Sequence, residues 1–139
     1  MDVKNKRVVV TGAASGIGKA LSEAFYQAGA QSIVAVDMNI EGAQETADSV
    51  NGMAVQANVG KEEDIINVIE KANEHAGGID IFCSNAGIGG VPGFFEVTAA
   101  DWQNIWDVNV QGHIFAAKHV LPQMIERGEG YLVNTSSAA

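Results

Sequence analysis

Two patterns of apolar and polar residues alternate along this chain. Short, nearly continuous apolar runs are separated by longer stretches in which apolar residues recur at every third or fourth position. The first pattern predicts buried β-strands, and the second predicts amphipathic helices. The predicted strands lie at 7–10, 32–37, 53–57, 79–84 and 131–134, and the predicted helices at 18–28, 40–50, 62–75 and about 99–127, the last with a break near Asp107. This alternation predicts an α/β fold, a doubly wound, Rossmann-like parallel sheet of five strands.

Length, composition and charge narrow the class of protein. The 139 residues, 47% of them hydrophobic, correspond to one globular domain spanning 1–139. No apolar run is long enough to cross a membrane, and the polar N-terminus lacks the apolar core of a signal peptide. With 17 acidic against 8 basic residues, the net charge of −9 argues against nucleic-acid binding. We therefore expect a chain that binds neither nucleic acid nor a membrane.

The cysteine and histidine residues predict neither a disulfide nor a metal site. The single cysteine, Cys83, lies inside an apolar run, so it cannot form an internal disulfide and is expected to be buried. This cysteine usage is typical of a reducing compartment, and we expect a cytoplasmic protein. His75, His113 and His119 share no ligand-like spacing, so no metal is predicted.

A glycine-rich segment joins the first predicted strand to the first predicted helix. Gly12, Gly16 and Gly18 allow a sharp turn and the close approach of a pyrophosphate, and the following helix offers free N–H groups to the anion. Asp37 ends the next predicted strand, about 20 residues further on, where dinucleotide-binding units place the acceptor for ribose hydroxyls. This combination predicts NAD(H) as the cofactor. The alternatives are an ordinary tight turn and a solvated carboxylate at a strand end.

Four segments of the chain, taken in order, resemble motifs of one enzyme family. Residues 11–18 resemble a TGxxxGIG loop, and residues 84–87 resemble an NNAG motif with serine in the first place. Residues 107–112 are similar to a helix segment with a catalytic asparagine, and residues 130–137 to a strand that ends in a catalytic serine. Together they resemble the short-chain dehydrogenase/reductase family. The resemblance implies the strand order 3-2-1-4-5, with the fold truncated after the fifth of the seven strands of the family.

The resemblance also implies which residues bind the cofactor. These are Gly12, Ser15, Gly16, Ile17, Gly18, Asp37, Met38, Asn58, Val59, Asn85, Ala86 and Gly87. Asp37 would accept hydrogen bonds from the adenosine ribose and repel a 2′-phosphate, which favours NAD over NADP. Asn58 stands where the family usually has an aspartate that lines the adenine, and it is either an adenine ligand or a turn residue.

Two catalytic residues follow from the same resemblance. Ser137 would hydrogen-bond the substrate oxygen, with Ser136 as the alternative. Asn109 would hold a water in a proton relay, or would serve only as a structural asparagine. The reaction of the family also needs a tyrosine as acid and base, with a lysine four residues later that lowers the pKa of the phenol. Neither Tyr26 nor Tyr131 is followed by a lysine at this spacing, and the copy in the family would come after Ser137.

These observations lead to one main interpretation and two alternatives. The chain is interpreted as the NAD(H)-binding portion of an enzyme whose full form would transfer a hydride between NAD(H) and a small-molecule secondary alcohol or carbonyl. Alone, the chain is expected to be inactive. Its fifth strand, left at an open edge, predicts self-association or pairing with a missing C-terminal half. The alternatives are a naturally short, non-catalytic nucleotide-binding or interaction module, and an unrelated Rossmann-like transferase.

Overall fold

The computed structural model describes residues 2–89, 93 and 95–137. Within these residues the strands are β1 (Arg7–Thr11), β2 (Ser32–Asp37), β3 (Met53–Gln56), β4 (Ile81–Ser84) and β5 (Tyr131–Asn134). The helices are α1 (Gly16–Gln27), α2 (Ile40–Ser49), α3 (Glu62–Ala76), α4 (Ala99–Trp106) and α5 (Gly112–Arg127), and a π-helical segment, Asp107–Gln111, joins α4 to α5. None of the described helices is long and apolar enough to cross a membrane.

The strands form one parallel sheet in the order β3-β2-β1-β4-β5, which confirms the predicted fold and strand order. β1 lies at the centre, where Val9 is opposite Val34 on one side and Phe82 on the other. Because all strands run in the same direction, their carboxyl ends meet at one edge, and in open α/β sheets this edge binds ligands. The glycine-rich loop after β1 and the loops after β2, β3, β4 and β5 all lie at this edge.

Apolar side chains pack on both faces of the sheet, as expected for strands that are apolar throughout. The core beneath α3 and α5 includes Val9, Val34, Val36, Ile65, Val68, Phe82, Ala116 and Val120. The core beneath α1 and α2 includes Val8, Val10, Ile33, Ala35, Ala47, Ile81 and Cys83. The predicted burial of Cys83 is confirmed, since the residue is 1% exposed, and this burial raises the pKa of its thiol to about 12.

The ends of the helices follow local signals in the sequence. α1 begins at Gly16, earlier than the predicted Gly18, because Ser15 has extended backbone and occupies the N-cap position. α3 ends at Ala76, and the next residue, Gly77, caps it with a φ of 76°, in the left-handed region that favours glycine. Thr98 and Asp101 form a capping box at the start of α4. The predicted break in the long helical stretch is confirmed as the π-helical segment, which inserts a wider turn between α4 and α5.

One surface of this helical stretch differs from its sequence-based prediction. Trp102 and Trp106 lie four residues apart, a spacing that predicts a packed helix face. Both side chains are instead more than half exposed, whereas Val108 is buried. Helical periodicity identifies the residues that share a face but does not specify what covers that face. Among the described residues, these two tryptophans are therefore not packed as their spacing predicts.

Candidate cofactor site

The glycine-rich loop can hold its conformation only with glycine at its three key positions. Gly12 and Gly16 have φ values of +70° and +52°, in the left-handed region. A Cβ atom at Gly12 would lie 2.9 Å from the Cα atom of Ala86, and one at Gly18 would collide with the carbonyl oxygen of Gly12. The loop therefore packs directly against the start of α1 and against the segment that follows β4. A Cβ atom at Gly16 would meet open space among the described residues, so glycine is needed there for its backbone angles.

The N-terminus of α1 has the features of an anion-binding site. The first N–H groups of a helix have no partner within the helix, and they carry a partial positive charge. Within the described part of the chain, the Ser15 side chain makes no capping hydrogen bond to these groups, and the first turn of α1 contains no acidic residue. An anionic phosphate at this helix start would therefore meet N–H donors without displacing a side-chain cap.

The carboxylate of Asp37 is held in one orientation by the backbone. Its Oδ2 atom accepts a hydrogen bond from the N–H of Ala14 at 3.0 Å, and its Oδ1 atom accepts one from the N–H of Asn39 at 2.9 Å. A carboxylate can accept about four hydrogen bonds, so about two positions remain for other donors. A pair of ribose hydroxyls would supply two such donors.

Thr11 joins the carboxyl ends of β1 and β4. Its Oγ1 atom accepts hydrogen bonds from the N–H groups of Asn85 and Ala86, at 3.0 and 3.1 Å, and donates to the carbonyl of Cys83 at 3.3 Å. The Asn85 side chain donates to the Thr11 carbonyl at 3.1 Å and accepts from the Thr135 hydroxyl, after β5, at 2.9 Å. Neither threonine was predicted as a site residue. For Thr11, the sequence signal that could have identified it is its position immediately before Gly12, the first glycine of the loop.

Asn58, which follows β3, forms a local turn. Its side-chain oxygen accepts a hydrogen bond from the N–H of Gly60 at 3.0 Å, and its own N–H donates to the Asp64 carboxylate at 2.8 Å. These bonds match the interpretation of Asn58 as a turn residue. The residue also lines a cavity together with Met38 and Val59, so the turn places Asn58 beside the position predicted for the adenine.

Asn109, in the π-helical segment, is paired with the backbone of a single residue. Its Oδ1 atom accepts from the N–H of Ile88, and its Nδ2 atom donates to the carbonyl of Ile88, both at 2.8 Å. The side chain therefore fixes the segment after β4 to the helical stretch. This geometry matches the structural interpretation of Asn109, and it also places the residue in the wall of a cavity that contains Ser137.

Three adjoining cavities, lined by described residues, follow the carboxyl edge of the sheet. The first, of about 420 Å³, is lined by Gly12, Ser15, Gly16, Ile17, Gly18, Asp37, Asn85, Ala86, Gly87 and Thr135. The second, of about 110 Å³, is lined by Gly12, Asp37, Met38, Ala57, Asn58, Val59, Ala86, Gly87, Ile88 and Val108. The third, of about 730 Å³, is lined by Asn85, Ala86, Gly87, Ile88, Asn109, Val110, His113, Ile114, Asn134, Thr135, Ser136 and Ser137. Ala86 and Gly87 border all three, so the cavities lie side by side, and together they are called the trough below.

This trough brings together all the predicted site residues. The twelve predicted cofactor-binding residues line the first two cavities, and the two predicted catalytic residues line the third. The adjacent serine, Ser136, lines the third cavity as well, so the position alone does not separate it from Ser137. Ile88 and His113 also line the trough, although neither was predicted to do so.

Comparison with known proteins identifies relatives over nearly the whole chain. Residues 6–139 match the family model described as short chain dehydrogenase. The chain is 36% identical to glucose 1-dehydrogenase 2 of Bacillus subtilis (strain 168) over 143 aligned residues, which cover 98% of this chain and 55% of that protein. It is 35% identical to 1-deoxy-11-beta-hydroxypentalenate dehydrogenase of Streptomyces exfoliatus, covering 99% of this chain and 52% of that protein.

A solved structure shares the fold. The crystal structure of a short-chain type dehydrogenase/reductase from Mycobacterium marinum matches with a TM-score of 0.90 and 29% sequence identity, covering 98% of this chain and 57% of that one. The chain thus spans about half the length of the curated relatives it matches.

Proposed function

The chain belongs to the short-chain dehydrogenase/reductase family, and we propose that it is the NAD(H)-binding portion of an oxidoreductase acting on a secondary alcohol or carbonyl compound. The observation that carries this proposal is the trough of adjoining cavities at the carboxyl edge of the sheet, lined by the glycine-rich loop, Asp37 and the segment 85–88. When bound there, a nicotinamide dinucleotide would supply a hydride donor or acceptor.

The described residues suit the two halves of an adenosine diphosphate. The uncapped start of α1 would bind the pyrophosphate, and the glycines let the backbone approach it closely. The carboxylate of Asp37, with about two acceptor positions left, would bind the ribose hydroxyls. Met38 and Val59 line the smallest of the three cavities together with Asn58, and they supply apolar surface on which an adenine would pack.

Asp37 also supports a preference for NAD over NADP. A 2′-phosphate would bring a second anion within hydrogen-bonding distance of a carboxylate that two backbone N–H groups already hold in place. Like charges at such distances repel strongly. The following residues, Met38 and Asn39, provide no cation to offset this repulsion.

The third cavity is proposed as the position of the substrate. Ser137 would orient the substrate oxygen by a hydrogen bond, and Asn109 would act by holding the Ile88 backbone that borders both the second and the third cavities. The sequence contains no tyrosine followed four residues later by lysine. We therefore propose that the 139-residue chain binds NAD(H) but has negligible dehydrogenase activity.

Titration of the 139-residue chain with NADH and with NADPH, followed by nucleotide fluorescence, tests this proposal. NADH is expected to bind with a lower Kd than NADPH. The substitution Asp37→Asn is expected to reduce the ratio of the NADPH Kd to the NADH Kd. Equal affinity of the wild-type chain for both nucleotides would contradict the specificity, and absence of NADH binding would contradict the function. A measurable NAD-linked dehydrogenase rate from the verified chain would contradict the proposed inactivity.

The same site fits a second candidate, a non-catalytic nucleotide-binding module. The 139 residues lack the Tyr-x-x-x-Lys spacing under either candidate, so this absence does not distinguish them. Both candidates predict NADH binding without turnover, so the intact mass of the protein in its native cell distinguishes them. A mass near 14.5 kDa supports the module. A mass about twice as large supports a full-length enzyme.

A further inference from the structure

One face of α2 contacts the glycine-rich loop from outside the trough. Gly42 and Thr46 lie four residues apart and therefore on the same side of this helix. Thr46 is fully buried, and its hydroxyl donates a hydrogen bond to the carbonyl of Ala13 at 2.8 Å. A Cβ atom at Gly42 would lie 2.8 Å from the Cβ atom of Ala14 and 3.1 Å from its carbonyl oxygen. Neither Gly42 nor Thr46 lines the three cavities of the described residues.

The loop residues that α2 contacts are the ones that orient Asp37. The N–H of Ala13 donates to the carbonyl of Val36 at 3.1 Å, at the end of β2. The N–H of Ala14 donates to the Oδ2 atom of Asp37 at 3.0 Å. Residues 13 and 14 are therefore held between β2 on one side and α2 on the other. A shift of this segment would move the N–H donor that sets the position of the Asp37 carboxylate.

We propose that Thr46 is a positioning residue for cofactor binding, which acts through Ala13 and Ala14 on the carboxylate of Asp37. The hydroxyl fixes the Ala13 carbonyl, and the absence of a side chain at Gly42 lets α2 lie directly against the loop. The ligand concerned is the ribose diol of an adenine dinucleotide. The inference rests on the proposed function, because it requires that Asp37 bind this ribose.

The direct test compares substitutions of Thr46 that differ in one group. Thr46→Val keeps the shape of the side chain but removes the hydrogen bond, whereas Thr46→Ser keeps the hydroxyl. Ser49→Ala is the matched control, because it removes another hydroxyl from α2, one that bonds the Thr46 carbonyl rather than the loop. With NADH as the probe, Thr46→Val is expected to raise the Kd about 3- to 10-fold. Thr46→Ser and Ser49→Ala are expected to stay within about 2-fold of wild type.

A double-mutant cycle separates positioning from a general loss of stability. If Thr46 acts through Asp37, Thr46→Val is expected to change the Kd by less than about 2-fold when Asp37→Ala is already present. A purely structural role would give the same loss in both backgrounds. All variants are measured at a temperature at which circular dichroism shows them to be folded.

A second variant keeps the proposal testable if Thr46→Val does not fold. Gly42→Ala inserts a methyl group between α2 and Ala14, and it is expected to weaken NADH binding by a similar factor. The proposal would be overturned if folded Thr46→Val bound NADH with wild-type affinity. If Thr46→Val does not fold, wild-type affinity of folded Gly42→Ala would overturn it instead. It would also be overturned if Thr46→Val weakened NADH binding as much in the Asp37→Ala background as in the wild type. Absence of NADH binding by the wild-type chain would overturn the proposed function and this inference together. Because the wild-type chain is measured first, the two failures are distinguishable.

Discussion

The substitution Asp80→Asn tests whether an ion pair at the amino edge of the sheet stabilises the fold. Asp80 is 8% exposed and lies just before β4. Its Oδ2 atom accepts hydrogen bonds from Nε of Arg7 at 2.8 Å and from the backbone N–H of Arg7 at 2.9 Å. Its Oδ1 atom accepts from Nη2 of Arg7 at 2.6 Å, and Nη2 of Arg127 lies 3.4 Å from the same atom. The carboxylate therefore ties β1 to β4 and to the end of α5.

The pKa of Asp80 gives the size of this effect. The hydrogen bonds from Arg7 lower the pKa from 3.8 to about 2, against the opposing effect of burial. At about 1.36 kcal/mol for each pKa unit, the charged form stabilises the fold by about 2 kcal/mol relative to the neutral form. Because folding lowers the pKa, this stabilisation is fully present above the unfolded value near 4, and it is lost as the pH falls through about 2. Asparagine resembles the neutral form, so Asp80→Asn is expected to cost about 2 kcal/mol at pH 7.

Urea unfolding followed by circular dichroism measures this cost. The difference in unfolding free energy between wild type and Asp80→Asn is expected to fall from about 2 kcal/mol at pH 7 to about 1 kcal/mol at pH 3. Asp48→Asn serves as the control, because Asp48 is exposed and, among the described residues, its carboxylate is hydrogen-bonded to the nearby Gln44 side chain. A difference below about 0.5 kcal/mol at pH 7, or one that does not depend on pH, would refute the reasoning.

Three further predictions concern the glycine-rich loop, the π-helical segment and the buried thiol. Gly18→Ala forces a methyl group against the Gly12 carbonyl. We therefore expect this substitution to abolish NADH binding and to lower the midpoint of thermal unfolding. Unchanged NADH binding in a folded variant would contradict the packing. Asn109→Leu removes both hydrogen bonds to the Ile88 backbone. The amide of Ile88 is therefore expected to exchange with solvent deuterium at least about tenfold faster. An unchanged exchange rate would show that these bonds do not protect the amide. Burial raises the pKa of the Cys83 thiol to about 12, so the thiol stays protonated at pH 8. A thiol reagent at this pH is therefore expected to label Cys83 only after unfolding. Rapid labelling of the folded chain would contradict this burial.

The parts of the site that could be predicted from the sequence are those set by local pattern. Gly12, Gly16 and Gly18 follow an apolar strand at fixed spacing, and Asp37 ends the next strand. Because parallel strands place their carboxyl ends at one edge, residues that end different strands are brought together without any knowledge of their side-chain contacts. The trough follows from this arrangement.

The contacts that hold the trough in shape could not be predicted in the same way. Thr11 bonds Asn85 across 74 positions of the chain, and Thr46 bonds Ala13 across 33. A buried threonine in a strand or helix has no sequence pattern that identifies its partner. The exposure of Trp102 could not be predicted for the same reason. The sequence shows its helical spacing from Trp106, but its exposure depends on what packs against α4.

The two edges of the sheet have different physical properties, and this difference separates stability from binding. The amino edge carries the charged pair of Arg7 and Asp80, whereas at the carboxyl edge the hydroxyls of Thr11 and Thr46, with the carboxylate of Asp37, hold the glycine-rich loop. Asp80 and Asn85 are five residues apart, about 16 Å along an extended strand, so an altered charge at one edge acts only weakly through solvent at the other. Loss of the ion pair should therefore reduce the fraction of folded molecules and leave the NADH affinity of folded molecules unchanged. Loss of the Thr46 hydroxyl should change the affinity even where folding is complete.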